Sequence, residues 1–563
     1  MECIKGNGGA PGMGRGNALV LGAPEAAGTS VIRTLEEAKK ECLEKMDRLY
    51  EKALESLGEE EAKIFKAYAM LLSDKTLYKG IDKRIENGLE PVAAVFEETR
   101  HIAGTFQAMK QEYMRQRGED ILHIGDMLIN SMKGLGEGPV LPEGDFKVVL
   151  VARELSPADT LQMDKTRLSA IVTELGGATS HTVILAKAMG IPAVTGVKDV
   201  FRAVANGMDL LVNGTTGEIL LSPDENALEN YRRMAEADAL LNRKISEANY
   251  QYAETLDGVR IKIYVNIGSA EDLSSLEGES YDGVGLFRTE FLYSGRTQAP
   301  SPEEEKKAYE EVLVRVSPRE TTIRTLDIGG DKAIPYLDLP KEENPFCGNR
   351  GVRLCLDRRE LFEQQLKAIL IAGAGKAIRI MFPMITEIAE FEACKAIVEK
   401  VRQELTLQSI SACDNYQLGI MVETPAAALM ADSFARKCDF LSIGTNDLTQ
   451  YVTATDRGNP KVQALCNAYN PAVLRLIHQT IKAGKERGKE VSVCGELASD
   501  PVYMPLLVGF GLKKLSVSPP LVKKLRYKLC QVRFDDLQRF AAEMLELDDA
   551  REIYEKASQR SLL

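Results

Sequence analysis

Hydrophobic positions recur along this chain with two different periods, and the change of period divides it. Between Thr29 and Leu135 the spacing is helical: Val31-Ile32, Leu35, Ala38, Cys42, Met46, Leu49-Tyr50 and Ala53-Leu54 share one face. A second run covers Ala62 to Leu72. A third starts near Pro91, a favoured first helical residue, and continues past Phe106, Met109 and Tyr113. A fourth covers Ile121 to Met132, and Gly58, Gly80, Gly88 and Gly118 read as the breaks. The pattern predicts a bundle of helical hairpins whose methionines (Met46, Met70, Met109, Met114, Met127 and Met132) mostly fill its core.

Past Gly134-Leu135-Gly136-Glu137-Gly138-Pro139 the character changes. Lys147 to Val151 and Leu168 to Val172 read as short buried strands, Ile191 to Val194 follows a short helix, and Leu210 to Leu221 reads as a hairpin. Asn17 to Leu21 fits as a further strand of the same sheet, which makes the bundle an insertion. Asp224 to Glu254 is a polar, helix-forming connector. From Val259 onward apolar strand-like runs alternate with amphipathic ones: Ile261–Ile267, Gly283–Phe287, Thr322–Leu326, Ile378–Phe382, Leu418–Val422, Phe440–Ile443, Val491–Val493 and Leu512–Val517. Strand–helix alternation repeated this often predicts a closed (β/α)8 barrel. The expected organisation is multidomain α/β: residues 1–28 with 136–223 as an α/β domain, 29–135 as the bundle, 224–258 as a helical linker and 259–563 as the barrel.

Composition narrows the function. At 563 residues and 44% hydrophobic, the chain has ample material for several cores. A net charge of −12 argues against nucleic acid or an anionic membrane surface as the main partner, although local arginine clusters can still bind an anionic substrate. No stretch approaches the ~20 apolar residues needed to cross a bilayer, and Met1 to Gly9 has no apolar signal core. The ten cysteines show no CxxC pair, which reads as free thiols in a reducing cytoplasm.

Two constellations carry chemistry. One of the four histidines, His181, lies in Gly176-Gly177-Ala178-Thr179-Ser180-His181-Thr182, at the start of an apolar helical stretch. A helix start supplies positive potential and free backbone N–H groups, which favour a neutral, nucleophilic imidazole and can hold phosphoryl oxygens. A capping Thr or Ser beside a bystander histidine would give the same local pattern. The second constellation sits at the carboxyl ends of the barrel strands, where catalytic groups of such barrels gather. These ends carry Arg288-Thr289-Glu290, Arg324-Thr325-Leu326-Asp327, Glu423, Thr445-Asn446-Asp447 and Cys494-Gly495-Glu496, with Lys332, Arg350 and Asp456-Arg457 in the loops. The cations suit a ligand with several negative charges. Glu423 and Asp447 suit a hard cation, and magnesium takes few carboxylates plus water and substrate oxygens. Cys494, at a strand end, is a candidate proton donor.

Together these motifs resemble the Enzyme I family, the phosphoenolpyruvate–protein phosphotransferases of the sugar phosphotransferase system. The resemblance spans almost the whole chain and is densest in Gly176–Gly196, Gly283–Leu292, Arg324–Pro335, Met381–Met384, Gly419–Ala428, Ser442–Tyr451, Asp456–Asn459 and Cys494–Leu497. It implies that His181 is phosphorylated through Nε2, with Thr160 hydrogen-bonded to its ring. Arg288, Arg324, Arg350 and Arg457 would grip phosphoenolpyruvate, Lys332 and Asn446 would assist, and Glu423 and Asp447 would ligate Mg2+. Cys494 would protonate the enolate to pyruvate. The bundle would receive the phosphocarrier protein HPr, and the barrel would form a homodimer.

The chain departs from the family pattern at Ala178, where a basic residue is usual two positions before Thr-Ser-His or close to it. Tyr68 stands where histidine is common, Ser73 where glutamate is common, Leu122-His123 where Arg-Asp is frequent, and Asn349 where tryptophan is usual. Two other readings compete. An ATP-using dikinase or synthase shares such domains but needs a nucleotide-binding domain that the roughly 110-residue helical segment is too short to supply. A non-catalytic homologue that binds phosphoenolpyruvate and signals would not need Cys494 or His181.

Overall fold

The structure, a computed structural model, describes residues 2–21, 33–56, 59–107, 112–134, 146–155, 166–176, 181–294, 296, 298–329, 334–340, 342–457, 459 and 461–560. The chain divides into two compact units, Met1–Leu240 and Leu241–Leu563.

In the first unit, the strand Met13–Leu21 lies at the centre of an eight-stranded sheet. It pairs in parallel with Val148–Ala152, Asn17 opposite Val148 and Leu21 opposite Ala152, and antiparallel with Asp209–Asn213. The helices between Leu21 and Val148 are therefore inserted between two neighbouring strands, as the apolar run Asn17–Leu21 suggests. The strands Leu168–Thr173, Ala193–Thr195 and Glu218–Leu221 complete the expected set. Two further strands are absent from the sequence reading. Glu2–Lys5 pairs with Glu218–Leu221 at one edge, and Asn7–Ala10 pairs with Ala193–Thr195 at the other. The sheet thus curls until a single segment, residues 2–10, covers both edges. Its glycines allow close backbone approach. A Cβ at Gly8 would come within 2.6 Å of the Thr215 carbonyl oxygen, and one at Gly14 within 2.0 Å of that of Ser169.

Among the described residues the inserted segment holds five helices: Leu35–Ser56, Glu59–Leu72, Lys75–Glu86, Pro91–Gln107 and Glu112–Met132. The periodicity misses Lys75–Glu86 and joins the last two differently. Gly80 and Gly118, read as breakers, lie inside helices. At Gly80 the missing side chain leaves room for Glu98, whose carboxylate would meet a Cβ there at 2.1 Å and which accepts a hydrogen bond from Arg84 Nε at 2.6 Å. Tertiary packing thus overrides the helix-breaking propensity of glycine. Met46 and Met132 are buried in the bundle core as expected, whereas Met70 is 73% exposed.

The second unit is the predicted barrel. Eight parallel strands, Arg260–Ile267, Gly283–Arg288, Glu320–Arg324, Ile378–Phe382, Tyr416–Val422, Phe440–Ile443, Glu490–Val493 and Lys514–Val517, pair in sequence, and the last pairs with the first. A short strand, Ala253–Glu254, adds antiparallel to the first. The third strand ends two residues earlier than its apolar run, so Arg324 is its last residue and Asp327 belongs to the loop. The first strand is followed only by a 3-10 turn, Glu271–Leu276, where a helix is expected. Leu286, Met381, Met421, Phe440 and Cys494 form a small buried cluster of their own within the barrel.

Candidate functional site

The carboxyl ends of the barrel strands enclose a cavity of about 660 Å³, lined by Arg288, Arg324, Arg350, Arg457, Asn446, Glu423, Asp447 and Cys494 among others. Eight of the nine barrel residues expected in the site therefore share one wall. The ninth, Lys332, lies outside the described residues, as does Thr160. His181 is described as the first residue of the helix His181–Met189, and Gly176, the last described residue before it, has φ +97°. Beside it, Thr182 anchors the helix start by donating to the Leu155 carbonyl at 3.1 Å.

Local structure explains how each cavity side chain is presented. Glu423 follows the strand Tyr416–Val422 directly. Thr424 then caps the helix Pro425–Leu429, accepting from the Ala427 amide at 3.1 Å. Met384, held at φ +58°, donates its amide to Glu423 Oε1 at 2.6 Å. A left-handed non-glycine residue costs on the order of 1 kcal/mol, which the site tolerates to aim that N–H. Gly444 leaves space beside the same carboxylate, since a Cβ there would approach Glu423 Oε2 to 3.0 Å. Asp447 lies in the first turn of the helix Thr445–Val452.

The arginines are held by carboxylates that the sequence places at strand ends without a role. Arg324 Nη2 bonds Glu290, and its Nη1 lies 3.3 Å from Asp327. Arg350 Nη2 reaches both Asp327 oxygens at 3.1 and 3.2 Å and lies 3.7 Å from Asp447. Arg350 Nη1 donates to Tyr451 Oη at 3.3 Å, and Arg457 lies 3.6 Å from Asp447. Asp327 and Glu290 are the functional residues that the sequence reading leaves unassigned. The signal available was electrostatic: that many buried guanidinium groups need counter-charges. Among the described residues Arg288 forms no ion pair, so its charge faces the cavity uncompensated.

Burial pushes Arg324 and Arg350 towards losing their protons, and Glu290, Asp327, Asp447 and Glu423 more than reverse that push. Burial, then repulsion from Asp447 and Asp327, pushes the Glu423 carboxyl up to about 8. Among the described residues the buried Arg324 Nε, Arg350 Nε and Asp447 Oδ1 have no hydrogen-bond partner. Such atoms are costly to bury and suit a ligand that supplies both anionic oxygens and a cation. Two carboxylates repelling each other at one cavity wall fit a divalent cation. Among the described residues no group of three or more His, Cys, Asp and Glu side chains forms a fuller cage. Cys494 is 5% exposed. Its thiol accepts from Ser442 Oγ at 3.4 Å, and Ser492 in turn donates to Ser442 at 3.0 Å. Burial raises the thiol pKa, which keeps it a proton donor.

In the bundle, two departures from the family pattern turn out to be one contact. Tyr68 is fully buried, with its hydroxyl 3.1 Å from Asp120 Oδ1 and 3.3 Å from His123 Nδ1. His123 Nε2 also lies 4.0 Å from Glu154 of the α/β sheet domain. All ten cysteines are free, and among the described residues no helix is long and apolar enough to cross a membrane.

Three family models cover most of the chain: the PEP-utilising enzyme N-terminal model over residues 5–117, the mobile-domain model over 144–217 and the PEP-binding-domain model over 242–534. The phosphoenolpyruvate-protein phosphotransferase of Geobacillus stearothermophilus is 38% identical over 524 residues, 93% of this chain and 90% of that protein. That of Bacillus subtilis is 35% identical over 564 residues, 98% of each. A solution structure of an Enzyme I protein is 29% identical, with a TM-score of 0.34 over 42% of this chain and 99% of that one. With models matched along the length and relatives of this identity over nearly all of it, the chain is an enzyme, a transferase of the phosphoenolpyruvate-protein phosphotransferase family.

Proposed function

We propose that the chain transfers the phosphoryl group of phosphoenolpyruvate to His181 and then to a histidine of the small phosphocarrier protein HPr, releasing pyruvate, in the first step of sugar uptake. The observation that carries this reading is the barrel cavity, where four arginines meet four buried carboxylates and, among the described residues, several polar atoms lack hydrogen-bond partners.

Arg324 and Arg350, fixed by Glu290 and Asp327, would receive the phosphate and carboxylate of phosphoenolpyruvate, with Arg288 and Arg457 closing on the same anion. Asn446 and Lys332 would assist. Glu423 and Asp447 would hold Mg2+, which supplies charge neutralisation on phosphoryl oxygens when bound. His181 Nε2 would attack phosphorus, forming the N–P bond as the enol O–P bond breaks and its electron pair passes to the enolate oxygen. Cys494 would then give its proton to the terminal carbon of the enolate, yielding pyruvate. Thr160 would hold the imidazole ring in place. His181 belongs to the first unit and the cavity to the second, so the reaction requires the imidazole to enter the rim. We assign that freedom to the linker, residues 224–258.

By the same reading residues 1–28 with 136–223 form the phosphohistidine domain, and 259–563 form the domain that binds phosphoenolpyruvate and pairs into a homodimer. Residues 29–135 form the HPr-binding bundle. The Tyr68–His123 contact lies inside that bundle, so these two departures reshape its interior more than its exposed face. Free thiols and the substrate support a cytoplasmic site of action.

Incubation with 32P-labelled phosphoenolpyruvate and Mg2+ should place an acid-labile label on the wild-type chain and none on His181→Ala. Label on the alanine variant, or none on wild type, sinks the assignment. No onward transfer to HPr would sink the partner alone. Cys494→Ala should lower pyruvate release by about 10² to 10⁴-fold while Mg2+ still raises the unfolding midpoint as in wild type. A lost metal response would show that the thiol supports the metal site instead.

A further inference from the structure

At the opposite end of the barrel from the arginine rim lies a second cavity, of about 680 Å³. It opens where the first, seventh and eighth strands begin. Its lining includes six cations, Arg260, Lys262, Lys485, Lys489, Lys513 and Lys514, and a single carboxylate, Glu490. That carboxylate is already committed. It lies 2.9 Å from Lys514, 3.1 Å from Lys262 and 2.5 Å from Arg379. Arg260 is committed too, to Asp282 at 2.5 Å. Among the described residues Lys485, Lys489 and Lys513 form no ion pair.

In a chain with a net charge of −12, three uncompensated lysines around one hollow oppose the overall electrostatic trend. Lys485 has a local explanation, because it sits in the last turn of the helix Pro471–Glu486 and complements the helix dipole. Lys489 and Lys513 have none, since each precedes a barrel strand. Between the cations the lining is apolar, with Ile481, Val491, Leu512 and Phe534 all buried. The volume falls within the range of small-molecule sites.

We propose that this cavity binds a small phosphorylated molecule with an apolar or aromatic body, of the nucleoside polyphosphate class. Lysine binds phosphate as a movable point charge, whereas a planar carboxylate is better met by the arginine fork, and lysines dominate this lining. The apolar floor offers a face for the body that inorganic phosphate lacks.

The test is calorimetric titration of the full-length chain with ATP in EDTA, beside Lys485→Gln/Lys513→Gln and the rim variant Arg457→Gln. Both lysines are exposed, and circular dichroism checks that the double variant folds. The expected result is one ATP per chain, affinity at least tenfold weaker in the double variant and unchanged in the rim variant. Adenosine and pyrophosphate, titrated separately, should each bind more weakly than ATP. Absence of ATP binding, or loss in the rim variant with retention in the double variant, overturns the proposal. Inorganic phosphate binding as tightly as ATP also overturns it, since the floor would then contribute nothing.

Discussion

Glu423→Gln should make the metal-free protein more stable and nearly inactive at once. Glu423 is 1% exposed, and burial with Asp447 and Asp327 lifts its carboxyl from 4.5 to about 8. The sign follows from linkage. A carboxyl whose folded pKa is raised binds its proton more tightly in the folded state. Its stabilising effect is therefore complete below pH 4.5 and is lost as pH rises towards 8. At pH 7 the cost of this one group is on the order of 3 kcal/mol. Glutamine has no such cost and keeps an oxygen to accept the Met384 amide. Thermal unfolding without metal should show the variant's midpoint above wild type at pH 7 and equal to it near pH 4. Added Mg2+ should raise the wild-type midpoint and leave the variant's in place, because a ligand stabilises only the state that binds it. The kcat/KM for phosphoenolpyruvate should fall about 10³-fold, the loss of several kcal/mol of charge neutralisation. A variant that responds to Mg2+ as wild type does would remove Glu423 from the metal site. Equal midpoints at every pH would show that the carboxyl is not under strain.

Lys514→Met should cost about 2–3 kcal/mol of stability without touching the chemistry. The ammonium is 2% exposed, lies 2.7 Å from Glu320 and 2.9 Å from Glu490, and sits 3.7 Å over the Tyr264 ring. Arg379 completes the cluster, also joined to both carboxylates. Removing Lys514 strips one charged hydrogen bond from each of Glu320 and Glu490, which keep Arg379 and Lys262 as partners, so the loss is that of the bonds rather than of an unpaired charge. For a unit of this size the unfolding midpoint should drop by about 3–5 °C. The kcat per folded molecule should not change, because the cluster lies at the strand starts. Acid supplies an independent check. Against the opposing push of burial, Lys514 and Arg379 hold Glu490 down to about 2. Its contribution is thus full above pH 4.5 and disappears as pH falls towards 2, worth up to about 3 kcal/mol. Glu490→Gln should flatten the acid limb in that window. An unaltered midpoint in Lys514→Met would mean that methionine packing compensates for the lost pairs.

The barrel was legible because each strand is a dense apolar run and each intervening segment has a helical period. The rim was legible because strand ends in such a barrel converge, so charges far apart in sequence, such as Arg288 and Asp447, come to line one cavity. Glu290 and Asp327 were visible but without a role, since pairing partners are fixed by three-dimensional proximity alone. The strands Glu2–Lys5 and Asn7–Ala10 were hidden by their glycines, whose purpose is close approach to another backbone and leaves no periodic trace. Lys75–Glu86 was hidden by Gly80, which reads as a break until Glu98 is seen to occupy its space. The basic hollow was likewise hidden, because its lysines come from the end of one helix and the starts of three strands.

The double service of residues 2–10 has a consequence for self-association. A strand edge with open N–H and C=O groups is a template on which another chain can add. In this sheet the two edges are closed by consecutive strands separated by Gly6 alone, whose amide is itself bonded to the Gly217 carbonyl at 2.9 Å. Peeling away nine residues would bare both templates together, so the solubility of the first unit rests on one short N-terminal segment.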